Sequence, residues 1–133
     1  MRDSVVAVVG EECGETVSLL QSEGLRVVTI PTDSVEDIPD LMPDLILLPL
    51  WRDPSSAHKA CRYFKRNSRT RPIPVVYVTS GEKRVEEGTA FISGCIDYIT
   101  SFNKDSLSKL LRYIKVGRLE KATSRILHKL EIA

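Results

Sequence analysis

Acidic and hydroxyl side chains follow three of the predicted strands of this chain, where they could bind a cation or an anion. Glu11 and Glu12 come after the first strand, Thr79 ends the fourth and Ser101 comes after the fifth. Carboxylates are ligands for hard cations such as Mg²⁺, and hydroxyl groups donate hydrogen bonds to anions. The third strand ends instead at Pro49, which offers no nucleophile, no metal ligand and no backbone N–H. No nucleophile–base pair can be assembled, so the sequence does not predict an enzyme.

Five short apolar runs predict the strands that would position these side chains. The predicted strands cover residues 4–10, 25–30, 44–48, 75–79 and 96–100. The run Asp44–Leu48 has no polar alternation, which is typical of a strand buried on both faces of a parallel sheet. The first run, a short helix and the second run form a βαβ unit, which favours parallel pairing.

Helical patterns separate the later strands. The third helix is predicted to run to about Asn67 and to face the sheet with Ala57, Ala60, Cys61 and Phe64. A weaker helix over 81–92 and a last helix from Lys104 or Asp105 follow, whereas 31–42 holds at best a stunted helix. Five strands alternating with helices predict an α/β fold, a flavodoxin-like (βα)5 three-layer sandwich with a parallel sheet of order 2-1-3-4-5.

The composition is that of one globular domain. The chain has 133 residues, is 42% apolar and 28% charged, and has no apolar stretch long enough to span a membrane and no secretory leader. We therefore expect a cytoplasmic protein. Three cysteines without CxxC spacing (Cys13, Cys61 and Cys95) argue against disulfides and zinc, and favour buried, reduced thiols.

The net charge of +1 conceals a segregation of charge along the chain. Residues 33–53 carry six acids and one base, 59–71 carry six bases and no acid, and 109–129 carry seven bases and one acid. Such segregation of charge affects which charged partners the protein can attract. For the bases of the third helix we expect a solvated face or a docking patch for an acidic partner, with nucleic-acid contact as the alternative.

Three sequence motifs resemble those of response-regulator receiver domains. They are Pro43–Leu48 (PDLILL), 69–76 (RTRPIPVV) and 94–100 (GCIDYIT), in the family's order and spacing, and the resemblance covers most of 4–115. In that family an acidic pair after strand one binds Mg²⁺ and an aspartate ending strand three accepts a phosphoryl group. A Thr or Ser ending strand four and a lysine after strand five then contact the phosphoryl oxygens.

The resemblance implies a degenerate phosphorylation site in this chain. By position Glu11 and Glu12 correspond to the acidic pair, but the favoured interpretation of the two residues is that they are solvated acids at a helix start. Thr79 corresponds to the switch hydroxyl and Tyr98 to the switch aromatic. Pro49 stands at the phosphoacceptor position and Ser101 at the lysine position, with Phe102 where proline usually follows.

These two replacements predict that phosphorylation is lost. Proline supplies no carboxylate to attack the phosphoryl group and removes an oxygen ligand for Mg²⁺, and serine supplies no cation. The resemblance therefore implies a pseudo-receiver, a signalling module that needs no cofactor or metal and acts by interaction with a protein partner or by dimerisation. Two alternatives are a sensor that binds a small molecule or anion in the vacated pocket, and nucleic-acid contact through basic helices.

Several apolar residues are candidates for an interface. Trp51, just past Pro49, would either anchor a partner or fold over the empty site. The other candidates are Tyr98, Phe102, Leu119, Ile126 and Leu130. His58 and His128 have no partner at metal-ligand spacing, and we expect both to face solvent.

The C-terminal helical pattern extends past the end expected of a receiver. We predict a domain over 1–116 and a helical extension or linker over 117–133, with an effector domain absent from this chain as one destination. Leu119, Ala122, Ile126 and Leu130 form an apolar stripe with no sheet left to cover. Because Gly117 lowers helix propensity, the tail is expected either to bend back there or to pair with another helix.

Overall fold

A five-stranded parallel sheet forms the centre of the protein. The computed structural model describes residues 4–10, 14–31, 34–49, 54–78, 97–99 and 104–132. The strands are β1 (Val5–Val9), β2 (Arg26–Ile30), β3 (Leu45–Pro49), β4 (Val75–Val78) and β5 (Asp97–Ile99), in the order β2-β1-β3-β4-β5. Each neighbouring pair is parallel. The predicted α/β class and strand order are confirmed.

Four α-helices lie among the described residues. They are α1 (Gly14–Ser22), α2 (Ile38–Leu41), α3 (Pro54–Arg66) and α4 (Lys104–Ile132), and a 3₁₀ turn, η1 (Val35–Asp37), leads into α2. The four residues of α2 confirm the expected stunted helix, since Pro39 removes a backbone donor and Met42 ends the helix in a left-handed conformation. The helix predicted over 81–92 lies outside the described residues.

Two apolar clusters cover the two faces of the sheet. One cluster contains Ile38 of α2 and the predicted inner face of α3, packed on Ile46, Leu48 and Tyr77. The other contains Leu20 of α1 and Leu110 and Ile114 of α4, packed on residues of β1, β3 and β4. Because both faces are covered, β3 is apolar without alternation, as its sequence predicts.

The C-terminal helix α4 continues through Gly117 without a break. The alternative in which the tail bends back at this glycine is therefore not observed. None of the helices, as far as the structure describes them, combines the length and the apolar character needed to cross a membrane. The domain boundary at Gly117 stays a prediction, since one helix spans it.

Candidate functional site

The carboxyl ends of the parallel strands define the edge of the sheet where ligands bind in folds of this kind. At this edge Pro49 is the last residue of β3 and lies opposite Val78, the last residue of β4. The ladder between β3 and β1 ends two residues earlier, at Leu47 and Val8. Proline lacks the N–H that would extend a ladder, and Pro49 is the last residue of β3 that the structure describes.

The backbone next to Pro49 is shaped by a glycine. Gly10 follows β1, has a positive φ of 104° and donates its N–H to the carbonyl oxygen of Ile30 at 2.7 Å. A left-handed conformation of this kind favours glycine because it has no Cβ. The chain thus turns sharply at the end of β1, immediately before the segment that contains Glu11 and Glu12.

Most of the predicted site side chains lie outside the described residues. This applies to Glu11, Glu12, Trp51, Thr79, Ser101 and Phe102. Tyr98 is described as part of the β5 backbone, where it pairs with Tyr77 of β4. Within the described ranges no three His, Cys, Asp or Glu residues are grouped so that they could hold a metal ion.

A polar contact that sequence analysis missed lies one residue below this edge, beneath α3. The hydroxyl of Tyr77, which is opposite Leu48 in the sheet, lies 2.9 Å from Nδ1 of His58, and the two rings meet edge to face. Tyr77 is fully buried and the ring of His58 is half-buried. The prediction that His58 faces solvent is therefore wrong. The polar Tyr77 within an apolar strand is the sequence feature that could have indicated a buried partner.

Cys61 belongs to the same contact. Its side chain is buried, is not in a disulfide and is hydrogen-bonded with Tyr77. Burial raises the pKa of the Cys61 thiol above its ordinary value of 9.0, and the Tyr77 hydrogen bond and the charge of Lys65 oppose this shift. Cys61 is thus a protonated core residue, as predicted for a buried, reduced thiol. Cys13 and Cys95 lie outside the described residues.

The raised pKa of Cys61 predicts a loss of stability in alkaline solution. Above pH 9 the unfolded chain releases the thiol proton while the folded chain keeps it, so stability falls by up to about 1.4 kcal/mol per pH unit from this group. Urea unfolding of the wild type and of Cys61→Ala between pH 7 and pH 10.5 measures the effect. The variant should lose less stability over this interval, and equal losses in the two proteins would contradict the prediction.

The basic run over 59–71, which begins within α3, separates into two groups. Lys65 Nζ donates to the carbonyl oxygen of Ile73 at 2.7 Å, and Arg71 Nε donates to that of Lys65 at 3.1 Å. Arg69 pairs with Asp40 at 2.8 Å. These three bases hold the turn between α3 and β4 and join it to α2, whereas Lys59, Arg62 and Arg66 are exposed along one face of α3.

The amino ends of β1 and β3 form a second cluster of contacts, at the opposite edge of the sheet. Asp44 is 3% exposed, and its Oδ2 accepts the N–H of Val5 at 2.9 Å, while its own N–H donates to the Val5 carbonyl oxygen at 2.8 Å. Gly117 of α4 packs directly on the backbone of Asp44. Arg118 then donates to the hydroxyl of Ser4 at 3.3 Å. Helix α4 therefore reaches the edge of the sheet opposite Pro49 at Gly117 and Arg118 and continues beyond these residues to Ile132.

Comparison with solved structures identifies the fold as that of response-regulator receiver domains. The receiver domain of the sensor histidine kinase PA1611 from Pseudomonas aeruginosa PAO1, determined with magnesium in its active site cleft, matches with a TM-score of 0.68 and 21% identity, over 84% of this chain and 97% of that one. The signal receiver domain of a modulated diguanylate cyclase from Desulfovibrio desulfuricans G20 matches with a TM-score of 0.68 and 21% identity, over 87% and 97%.

A longer protein also matches. NtrX from Brucella abortus, determined in complex with ADP, aligns with a TM-score of 0.73 and 23% identity, over 92% of this chain but 29% of that chain. No model of a known protein family matches the sequence. No curated protein matches it either. The structural neighbours are receiver domains of two-component systems, and at this level of identity the likeness defines a shared fold.

Proposed function

We propose that this protein is a signalling module of the two-component type that works without phosphorylation, through interaction with a protein partner or through dimerisation. The observation that carries the proposal is Pro49. It ends the central strand of a receiver fold, opposite Val78, at the position where the resemblance calls for an aspartate. Without a carboxylate there, no acyl phosphate can form, because the phosphoryl group has no nucleophile to attack it.

The replacement of lysine by Ser101 supports the same proposal. Phosphoryl transfer depends on neutralising the charge that spreads over the phosphoryl oxygens, and serine carries no charge. Both changes remove the switch and leave the scaffold, since Val6–Val9 of β1, Leu45–Leu48 of β3 and Val75–Val78 of β4 are buried. A receiver fold that is retained without the residues for phosphoryl transfer supports a role in binding. We include in the proposal that the protein is not an enzyme and that it acts in the cytoplasm.

The proposal predicts that the protein takes no phosphoryl group from a small donor. The wild type is incubated with acetyl phosphate and Mg²⁺ and its intact mass is measured, with a receiver domain that has the acceptor aspartate treated in parallel. We expect no adduct on this chain and an adduct on the control. An adduct on the wild type that hydroxylamine removes would show an acyl phosphate and would overturn the proposal.

A variant of the same chain sharpens this experiment. Pro49→Asp combined with Ser101→Lys returns the acceptor carboxylate and the cation to their positions in the resemblance. If this variant is phosphorylated and the wild type is not, the two substituted residues account for the loss of phosphorylation. If the variant also stays unmodified while the control receiver reacts, Glu11 and Glu12 no longer support Mg²⁺ binding, and the degeneration extends to the acidic pair.

A further inference from the structure

We infer that residues 116–132 of α4 pair with the same segment of a second copy of this chain, as a parallel two-stranded coiled coil. The inference rests on the proposed function and names its partner. The first observation that supports the inference is the solvent exposure of two apolar side chains of this segment. Val116 and Leu119 are 46% and 67% exposed, and in the part of the chain that the structure describes Leu19 is the one other large apolar side chain with such exposure.

The sequence continues this exposed pair in a coiled-coil register. Val116, Leu119, Thr123, Ile126 and Leu130 are spaced by 3, 4, 3 and 4 residues along a helix that is unbroken to Ile132. Positions 116, 123 and 130 are then a positions, and 119 and 126 are d positions. This register puts the whole stripe, named here the outer stripe, on one face of α4.

Val116 and Leu119, the first two residues of the outer stripe, lie on the exposed side of α4, away from the protein's own sheet. Leu110, Ile114 and Gly117 are buried against the domain. With 3.6 residues per turn, Leu119 lies about 140–180° around the helix from these residues and Val116 about 100–160°. A second copy that joins at the outer stripe therefore has its own domain on the far side of its own helix. The two domains do not compete for the same space.

The charges beside the outer stripe select a second copy in parallel orientation. In the same register Lys115 occupies a g position and Glu120 an e position. In a parallel coiled coil, each g residue lies beside the e residue that is five positions further along the partner helix. Two symmetric Lys–Glu pairs result. An antiparallel pair would set g positions against g positions, where the charged residues are Lys115 and Lys129.

The domain itself favours pairing of so short a segment. The outer stripe gives roughly two and a half heptads, which is little for an isolated peptide. Helix formation is limited by its first turn, and the turns from Lys104 to Gly117 are already folded against the sheet. Each chain therefore brings a helix whose first turns are already folded. This lowers the conformational entropy lost when two chains associate.

Sedimentation equilibrium of the full chain tests the inference. We expect the wild type to dimerise with a dissociation constant of about 10 μM or below. Leu119→Asp puts a charge into the outer stripe and should leave a folded monomer. Leu19→Asp, at the exposed apolar residue of α1, is the matched control and should dimerise like the wild type, with circular dichroism confirming that both variants are folded.

A charge exchange tests orientation and register. Lys115→Glu and Glu120→Lys each replace two attractive pairs by two repulsive ones, and each should weaken the dimer by about fivefold or more. Combining the two substitutions exchanges the charges and should restore the wild-type dissociation constant. A double variant as weak as the single ones would overturn the parallel register.

Two further results would overturn the inference. One is a wild type that is monomeric at about 100 μM, and the other is a dimer that Leu119→Asp leaves intact. Neither affects the proposed function, which then requires a different protein partner or another surface for dimerisation. The proposed function fails in the phosphodonor experiment, by an acyl-phosphate adduct, and that readout does not depend on the oligomeric state.

Discussion

Replacing Gly117 by alanine is expected to destabilise the protein by about 1–3 kcal/mol, the cost typical of overpacking in a core. A Cβ at this position would overlap the carbonyl oxygen of Asp44 and would lie 2.9 Å from its carbonyl carbon and 3.0 Å from Cδ of Pro74. These contacts involve backbone and a rigid ring, so α4 as a whole must move. That movement separates Leu110 and Ile114 from the sheet.

The sign of this effect distinguishes packing from helix propensity. In a solvated helix, alanine is favoured over glycine by about 1 kcal/mol, so Gly117→Ala would stabilise the protein if the contact with Asp44 were absent. Urea unfolding at pH 7 measures the difference. Ser108→Ala, at an exposed position of the same helix, is the control and should raise stability by a few tenths of a kcal/mol. A stabilising Gly117→Ala would contradict the close approach of α4 to β3.

Replacing Asp44 by alanine is expected to cost about 1.5–3 kcal/mol, the range for a hydrogen bond to a charged group. Its carboxylate accepts the N–H of Val5, and together with the reciprocal backbone bond it joins the first residue of β1 to the residue that precedes β3. Alanine leaves this amide without its acceptor in a site where Asp44 is 3% exposed. Asp44→Asn keeps the shape and an acceptor oxygen and should lose less than half as much.

A second aspartate provides the comparison for this prediction. Asp40 is exposed and pairs with Arg69, an ion pair in which both side chains are largely in solvent. Such pairs contribute about 0–1 kcal/mol, so Asp40→Ala should lower the free energy of unfolding far less than Asp44→Ala. Equal effects of the two substitutions in urea unfolding would show that the contact with Val5 does not matter for stability.

The two edges of the sheet have different roles in the proposals above. In the proposed function, the edge with Pro49 lacks the phosphorylation chemistry that the receiver fold usually carries there. The edge with Asp44 fixes the course of α4 through Gly117 and Arg118, and from this edge the helix extends with its outer stripe. We expect any interaction through the tail to depend on how firmly α4 is held at Asp44, more than on the residues around Pro49.

The sequence by itself determined the class of the fold and the order of the strands. Runs such as Asp44–Leu48 are apolar at every position because both faces of the sheet are covered, and this pattern is local and visible in the chain. The same holds for the inner face of α3 and for the absence of a carboxylate at Pro49, since residue identity needs no structure. The ends of β1, β2 and β3 were predicted to within one residue.

Only the tertiary structure decided which polar residues are structural. His58 was expected in solvent but meets Tyr77, and Gly117 was expected to weaken a helix but lies directly against the backbone of Asp44. Periodicity reports which face of an element is apolar. It cannot report contacts between residues as distant in the chain as Ser4 and Arg118, 114 positions apart, because these depend on how the elements pack.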